Sequence, residues 1–310
     1  MYCYELYGLK VQSNIEIPQL LAIDEFSEDS AEIEMLMEKN SINSDSDEAR
    51  QDQKKGYGLT ESGVWFYNQA GYFDIKTENS KTTIKCAKYS DVDESIVRSF
   101  FLGNCVALGM TQRNKIVLHG STLLMGDKTI LICGNSGSGK STTAMALIEK
   151  GAKLIADDIS VIDVETSDGC AYAYPAFPEQ KLCRDAVEYN HIDVEKLSYV
   201  NEDRDKFSYI RKDVFENKKK KVDGMIAIRT VEGTNEEVSI RKIDGADKVN
   251  AITDKFFLNW LYGHGLELHP KEMMKCFALA GQIDIWDVSR TCDGDTRVKL
   301  VNSILDVLKD

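Results

Sequence analysis

Hydrophobic and polar positions alternate at the start of the chain, where Tyr2–Tyr7 predicts a strand and Ile15–Leu20 closes a second element. Val64–Tyr67, Tyr72–Lys76 and Thr82–Cys86 follow as short β-prone runs bounded by turn residues, which predicts a small antiparallel sheet. From Ser95 the period changes. Ile96, Val97, Phe100, Phe101, Val106, Leu108 and Met110 recur at helical spacing, interrupted by Gly103 and Gly109. A linking helix is expected there, with a boundary between a β-rich region, 1–112, and a second region, 113–310. Lys115–His119 and Ser121–Met125 predict a hairpin, with a turn at Gly126–Asp127. Thr129–Cys133 is a continuous apolar run, as a fully buried strand requires. A helical pattern over Lys140–Lys150 ends at Gly151, and Lys153–Ala156 is a short apolar strand ending in two carboxylates. Further on, Val222–Arg229 and Glu237–Ile243 read as paired strands. Residues 247–262 and 270–280 read as helices, Ile283–Val288 as a strand and 295–309 as a closing helix. Strands alternating with helices place the second region in the α/β class.

Composition narrows the functional classes. The 310 residues suffice for a full core, in one large domain or two smaller ones. The formal net charge of −13 argues against a nucleic-acid binder and against adhesion to an anionic membrane surface. Much of that charge is local. Residues 24–52 hold eleven acidic side chains against Lys39 and Arg50. The polar, turn-rich 40–54 is expected to be an exposed loop, and the acidic segment offers a surface for a basic partner. The eight cysteines form no Cys-x-x-Cys pair, which suits reduced thiols and a cytoplasmic address. No secretory signal and no run of membrane-spanning length is visible.

The chemistry concentrates at residues 134–141. Gly134, Asn135, Ser136, Gly137, Ser138, Gly139, Lys140 and Ser141 satisfy Gly-x-x-x-x-Gly-Lys-Ser, between an apolar strand and a helical pattern. Glycines let the backbone wrap phosphate oxygens, and free N–H groups at the helix start supply positive potential. Lys140 suits the β- and γ-phosphates, and the Ser141 hydroxyl suits Mg²⁺. Asp157 and Asp158 follow at the end of the next apolar strand. A crossover through the intervening helix brings that strand end beside the loop. One carboxylate there can hold Mg²⁺ and another can accept a proton from an attacking hydroxyl.

Val117–Gly120, with its His119-Gly120 pair, the loop, and the run through Lys150, Gly151 and Ala152 to Ala156-Asp157-Asp158 together resemble the catalytic core of the HPr kinase/phosphorylase family. The resemblance covers residues 117–160. More loosely, the chain is similar to HPr-kinase-like proteins encoded beside peptide-modification systems, among them kinases of lasso-peptide precursors. Tyr4–Ser13, Arg113 with Leu118–Ser121, and Tyr174–Leu182 carry that likeness. The resemblance implies an α/β core related to phosphoenolpyruvate carboxykinase, ATP with Mg²⁺, and transfer of the γ-phosphoryl group to a serine-type hydroxyl of a peptide or small protein. It implies phosphate binding by residues 134–142, including Thr142, with Lys140 contributing to catalysis. It also implies Mg²⁺ at Ser141 and Asp158, Asp157 as general base or the two aspartates exchanged, and His119 near the transferred group or orienting the Asp pair. The family often oligomerises, so a homo-oligomer is a possible partner. Thr142 stands where the bifunctional enzymes usually have Glu, and Lys150-Gly151-Ala152 replaces their Arg-Gly-His. Their Arg-Gly-Ile-Gly stretch is absent as well. These departures point to a kinase with an acceptor other than HPr; a small-molecule hydroxyl, or nucleotide binding without transfer, are the rival readings.

Other residues carry less. His264, His269 and Cys276 have irregular spacing for a metal site. Phe257 and Trp260 read as core, and Lys218–Lys221 as a solvated basic run. Arg184, Arg204 and Arg211 are available to neutralise phosphoryl charge.

Overall fold

The computed structural model describes residues 1–38, 56–59, 63–200, 206–232, 237–262, 266–292 and 295–309. The loop expected at 40–54 lies outside the described residues, as do Arg204 and His264. The chain forms two compact units, Met1–Lys115 with Trp260–Glu267, and Ile116–Asn259 with Leu268–Asp310.

In the first unit the strands are β1 (Tyr2–Leu6), β2 (Leu9–Ser13), β3 (Leu21–Ala22), β4 (Ile33–Met37), β5 (Tyr57–Leu59), β6 (Gly63–Asn68), β7 (Gly71–Glu78) and β8 (Lys81–Lys88). They form one sheet in the order β3-β1-β2-β4-β8-β7-β6-β5. β6, β7 and β8 make the expected antiparallel meander, but the sheet is larger than the sequence pattern suggested. Ile15–Leu20 is not a strand; the Ile17 N–H donates to the Tyr4 hydroxyl instead. β4 lies inside the acidic segment and runs parallel to both its neighbours. Ile33 and Met35 are fully buried there, while Glu34 pairs with Lys81 at 2.9 Å and Glu32 with Arg113 at 3.6 Å. Part of the acidic segment is thus ordinary strand with paired charges. The linking helix is α1 (Glu94–Phe100), a wider turn over Phe101–Cys105 kinked at Gly103, and α2 (Val106–Gln112). Asp93 caps α1 by accepting from the Ser95 N–H. Trp260 is not core: it is 55% exposed and meets Tyr57 edge-on.

The second unit opens with β9 (Ile116–Met125) and β10 (Lys128–Gly134). The expected break at His119–Gly120 does not occur. β9 is one ten-residue strand, and the hairpin turn at Gly126 joins it to β10. Then come α3 (Lys140–Glu149), β11 (Lys153–Ala156), β12 (Ile159–Val164), β13 (Ala171–Tyr174), β14 (Glu179–Cys183), α4 (Arg184–Tyr189), β15 (Ser198–Val200), β16 (Lys206–Ile210) and β17 (Lys220–Lys221). β18 (Gly224–Val231), β19 (Val238–Ile243), α5 (Asp247–Thr253), α6 (Pro270–Gln282), β20 (Asp284–Thr291) and α7 (Arg297–Val307) complete it. The main sheet has the order β17-β13-β12-β9-β10-β18-β20-β19, with β11 also on β9, and β14-β16-β15 is a separate small sheet.

β11 ends at Ala156, just before the two aspartates as expected, and β12 continues along β9 beyond them. Two expectations change here. β18 and β19 are not partners. β20 lies between them, parallel to β18 and antiparallel to β19. Gly224–Ile228, the first five residues of β18, are buried, and a run buried in that way needs neighbours on both sides. The helix read over 247–262 stops at Thr253. β10 leaves the sheet after Gly134, which orphans backbone groups of β9. Residues 255–257 replace it: the His119 N–H donates to the Lys255 carbonyl, and the Phe257 N–H to that of Val117, both at 2.8 Å.

The core sits between this sheet and α3 with α7. Ile130, Ile132, Ile226, Ile228 and Val288 of the sheet pack on Ala144, Leu147 and Ile148 of α3 and on Leu300, Val301 and Ile304 of α7. Another face of α3 places Met145 against Leu182, Val187 and Phe207. The helix that begins at Lys140 is thereby gripped from two directions.

Gly120 permits the close approach of β9 to β10. A Cβ there would stand 2.5 Å from the Ile132 carbonyl oxygen and 2.8 Å from Cys133 Sγ. Gly120→Ala is expected to destabilise the protein by about 1–3 kcal/mol, the usual range for overpacking, read as a lower denaturant midpoint with an unchanged slope.

Candidate active site

Strand register assembles the site. On β9, Gly120 faces Cys133 of β10 while His119 faces Ile159 of β12. His119 therefore lies between the start of the Gly134–Gly139 loop on one side and Asp158 on the other. The loop leaves β10 and enters α3 with Gly137 and Gly139 in the left-handed region at φ 80° and 100°. Asn135, Ser136 and Gly137 are exposed, whereas Gly134 and Ser138 are buried. The Ser138 N–H and Lys140 Nζ both donate to the Asn135 carbonyl, at 3.1 and 3.0 Å. Ser138 Oγ is buried without a hydrogen-bond partner among the described residues. Lys140, Ser141 and Thr142 open α3, where backbone N–H groups lack intrahelical acceptors.

Asp157 and Asp158 interrupt the pairing of β11 and β12 with β9, and Asp158 takes a positive φ of 66°. The interruption turns the two carboxylates to different surroundings. Asp157 is 8% exposed and has donors on both oxygens, Ser121 Oγ at 2.5 Å and the Lys181 N–H at 2.8 Å. Burial, and then the neighbouring Asp158, push its proton affinity up against those two bonds. Asp158 receives Lys181 Nζ at 3.2 Å and has His119 Nδ1 at 3.8 Å. Burial raises its pKa too, but Lys181, Lys206 and His119 outweigh it and hold the carboxyl well below its ordinary range. Lys140 is pulled the other way. Burial lowers its proton affinity and Asp158 partly restores it. Burial also lowers the His119 pKa, to about 4, with Asp158 opposing the shift and three lysines adding to it.

The structure brings His119, Lys140, Asp157 and Asp158 together, with the Gly134–Gly139 loop leading into Lys140. Sequence reasoning missed Lys206 and gave Ser121 and Lys181 a place only within the looser likeness. Ser121 closes the Leu118–Ser121 run on β9, and Lys206 comes from β16 with no motif around it. The arginines considered earlier lie in other packing. Arg184 covers the Phe207 ring, and Arg211 donates to Gln180 Oε1 at 3.0 Å. His269 caps α6 by accepting from the Lys271 N–H, and Cys276 is buried. Within the basic run, Lys219 pairs with Glu165 and Lys220 with Glu216.

Comparison with known proteins falls on this same stretch. Residues 111–175 match the family described as HPr Serine kinase C-terminal domain. An HPr kinase/phosphorylase of Clostridium botulinum (strain Eklund 17B / Type B) is 48% identical over 52 residues, 17% of this chain and 16% of that protein. One from Treponema pallidum (strain Nichols) is 52% identical over 44 residues, 14% of each chain. The chain thus spans about one sixth of the length of the curated relatives it matches. The solved Hpr(Ser) kinase/phosphatase of Coxiella burnetii aligns with 63% of this chain and 99% of its own at 13% identity. Its TM-score of 0.31 is too low to bear on the fold. No described helix is long and apolar enough to cross a membrane.

The His119 environment has a pH signature. An unfolded histidine takes its proton near pH 6.5, and the folded one resists until about 4. Between those values the unfolded state binds more protons, so stability falls as pH drops through the window. Histidine ¹⁵N chemical shifts of the nucleotide-free protein should show the His119 ring neutral at pH 6 and protonating near pH 4. His119→Gln should flatten the stability loss over the same range.

Proposed function

We propose that this chain is an ATP-dependent kinase that transfers the γ-phosphoryl group to a serine-type hydroxyl on a peptide or small protein. The observation that carries the reading is the register of β9, which sets Asp158 and the Lys140 loop at one end of one sheet. Residues 134–142 fit a triphosphate. The loop glycines allow close backbone approach, Ser138 Oγ is an unused buried donor, and the start of α3 directs N–H groups at an anion. The Ser141 hydroxyl is the group that would hold Mg²⁺, which when bound neutralises charge on the transferred phosphoryl group.

Of the two aspartates, Asp158 is the better candidate for receiving the hydroxyl proton. Asp157 already accepts from Ser121 and from the Lys181 backbone, and it acts as the buried support of the bend. Asp158 is ionised and lies beside His119 and Lys181. A bound phosphate would draw on the charge of Lys140, Lys181 and Lys206, weaken their hold on Asp158 and raise its proton affinity toward that of a working base. Neutral His119 is positioned to orient that carboxylate. The matched kinases act on HPr by name, and the looser resemblance favours a peptide substrate of a modification system, such as a lasso-peptide precursor.

The test is incubation with ATP, Mg²⁺ and serine-bearing peptides, followed by mass measurement of the products. Lys140→Ala should lose nucleotide binding. Asp158→Asn should retain binding and lose transfer by about 10²–10⁴-fold, the usual worth of a proton-transferring group. Full transfer in Asp158→Asn would reverse the aspartate assignment, and phosphorylation of small alcohols alone would replace the acceptor class.

A further inference from the structure

Arg290, near the end of β20, touches the loop from 152 residues away along the chain. Its Nε donates to the Ser138 carbonyl at 2.9 Å, and its Nη2 lies 3.5 Å from the Gly137 carbonyl. On its other side Nη1 reaches the Thr291 carbonyl at 3.4 Å and the Thr296 hydroxyl at 3.5 Å. The fork therefore ties the loop to the turn that opens α7. Parallel pairing explains the meeting. Gly134 of β10 is level with Ile228 of β18, and Arg290 of β20 with Thr230, so loop and guanidinium emerge at the same edge of the sheet.

We infer that Arg290 is a positioning residue for phosphate binding, one that fixes which way the loop's peptide groups point. In a trans peptide the carbonyl of one residue and the N–H of the next point in opposite directions. Tying the Ser138 carbonyl to Arg290 therefore turns the Gly139 N–H to the opposite face of the loop. The charged donor makes this tie stronger than a neutral one. Gly139 accommodates it: a Cβ there would lie 3.4 Å from Arg290 Nε, on a backbone with φ of 100°. Lysine would not serve equally, because a single ammonium lacks the planar fork that spans three carbonyls and a hydroxyl. This role rests on the phosphate-loop reading above.

The experiment is calorimetric titration of the full chain with Mg²⁺·ATP and Mg²⁺·ADP, for wild type, Arg290→Ala and Arg290→Lys. Both variants are expected to bind both nucleotides about 10–100-fold more weakly, the scale of one lost charge-assisted hydrogen bond. Methylguanidinium, but not methylammonium, should restore Arg290→Ala. Wild-type affinity in both variants would overturn the proposal while leaving the loop reading intact. A loss confined to ATP would overturn it as well, since Arg290 would then act on the γ-phosphoryl group itself. A wild-type protein that binds neither nucleotide would remove the phosphate-loop reading and this role together.

Discussion

The second unit is organised by the need of one strand to satisfy its backbone along both edges. β9 runs for ten residues, and every polar backbone group buried along it requires a partner. One edge takes β11 and β12, with the two aspartates filling the gap between them. The other takes β10 and then, where β10 turns away into the loop, residues 255–257. Both interruptions occur at the level of His119 and Gly120. The places where regular pairing fails are the places where chemistry-bearing side chains are set facing one another. The Ser121–Asp157 hydrogen bond secures this arrangement from below, since it fastens the bend to the strand it departs from.

Electrostatics at this point owes little to the net charge of the chain. Lys140, Lys181 and Lys206 act on Asp158 within a small, partly dry volume, where charges interact more strongly than in water. The same burial acts on three groups with different outcomes. It raises Asp157, lowers His119, and is overcome at Asp158 by nearby cations. Two adjacent residues of one type thereby acquire opposite proton affinities, which gives each a different capacity. Three lysines gather here inside a protein whose total charge is −13.

Whatever is encoded within a short run of residues was legible. Residues 134–141 specify their turn, helix start and lysine by local spacing, and the helix ends at Gly151 with a positive φ as its position implied. The meander of β6, β7 and β8 was legible for the same reason, since neighbouring strands in sequence are neighbours in space. Order in the main sheet was not. β18 and β19 look like a pair from periodicity, but the insertion of β20 depends on burial over the whole sheet. The acidic count hid β4, because Ile33 and Met35 alternate with charges that are paired elsewhere in the fold. Lys206 and Arg290 were invisible as site neighbours. Each reaches its position through topology, and a solitary cation in a strand carries no signature of its destination.

That topology sets an order of completion during synthesis. β9, β10 and α3 are local and form from contiguous chain, but the outer edge of β9 waits for residues 255–257, and β18 waits for β20. A nascent chain that ends before these segments holds an apolar strand with an open edge, a state prone to pairing with other chains. The brace on the loop arrives later still, with Arg290. The Gly134–Gly139 loop near the middle of the sequence is therefore among the last parts of the molecule to acquire its final shape.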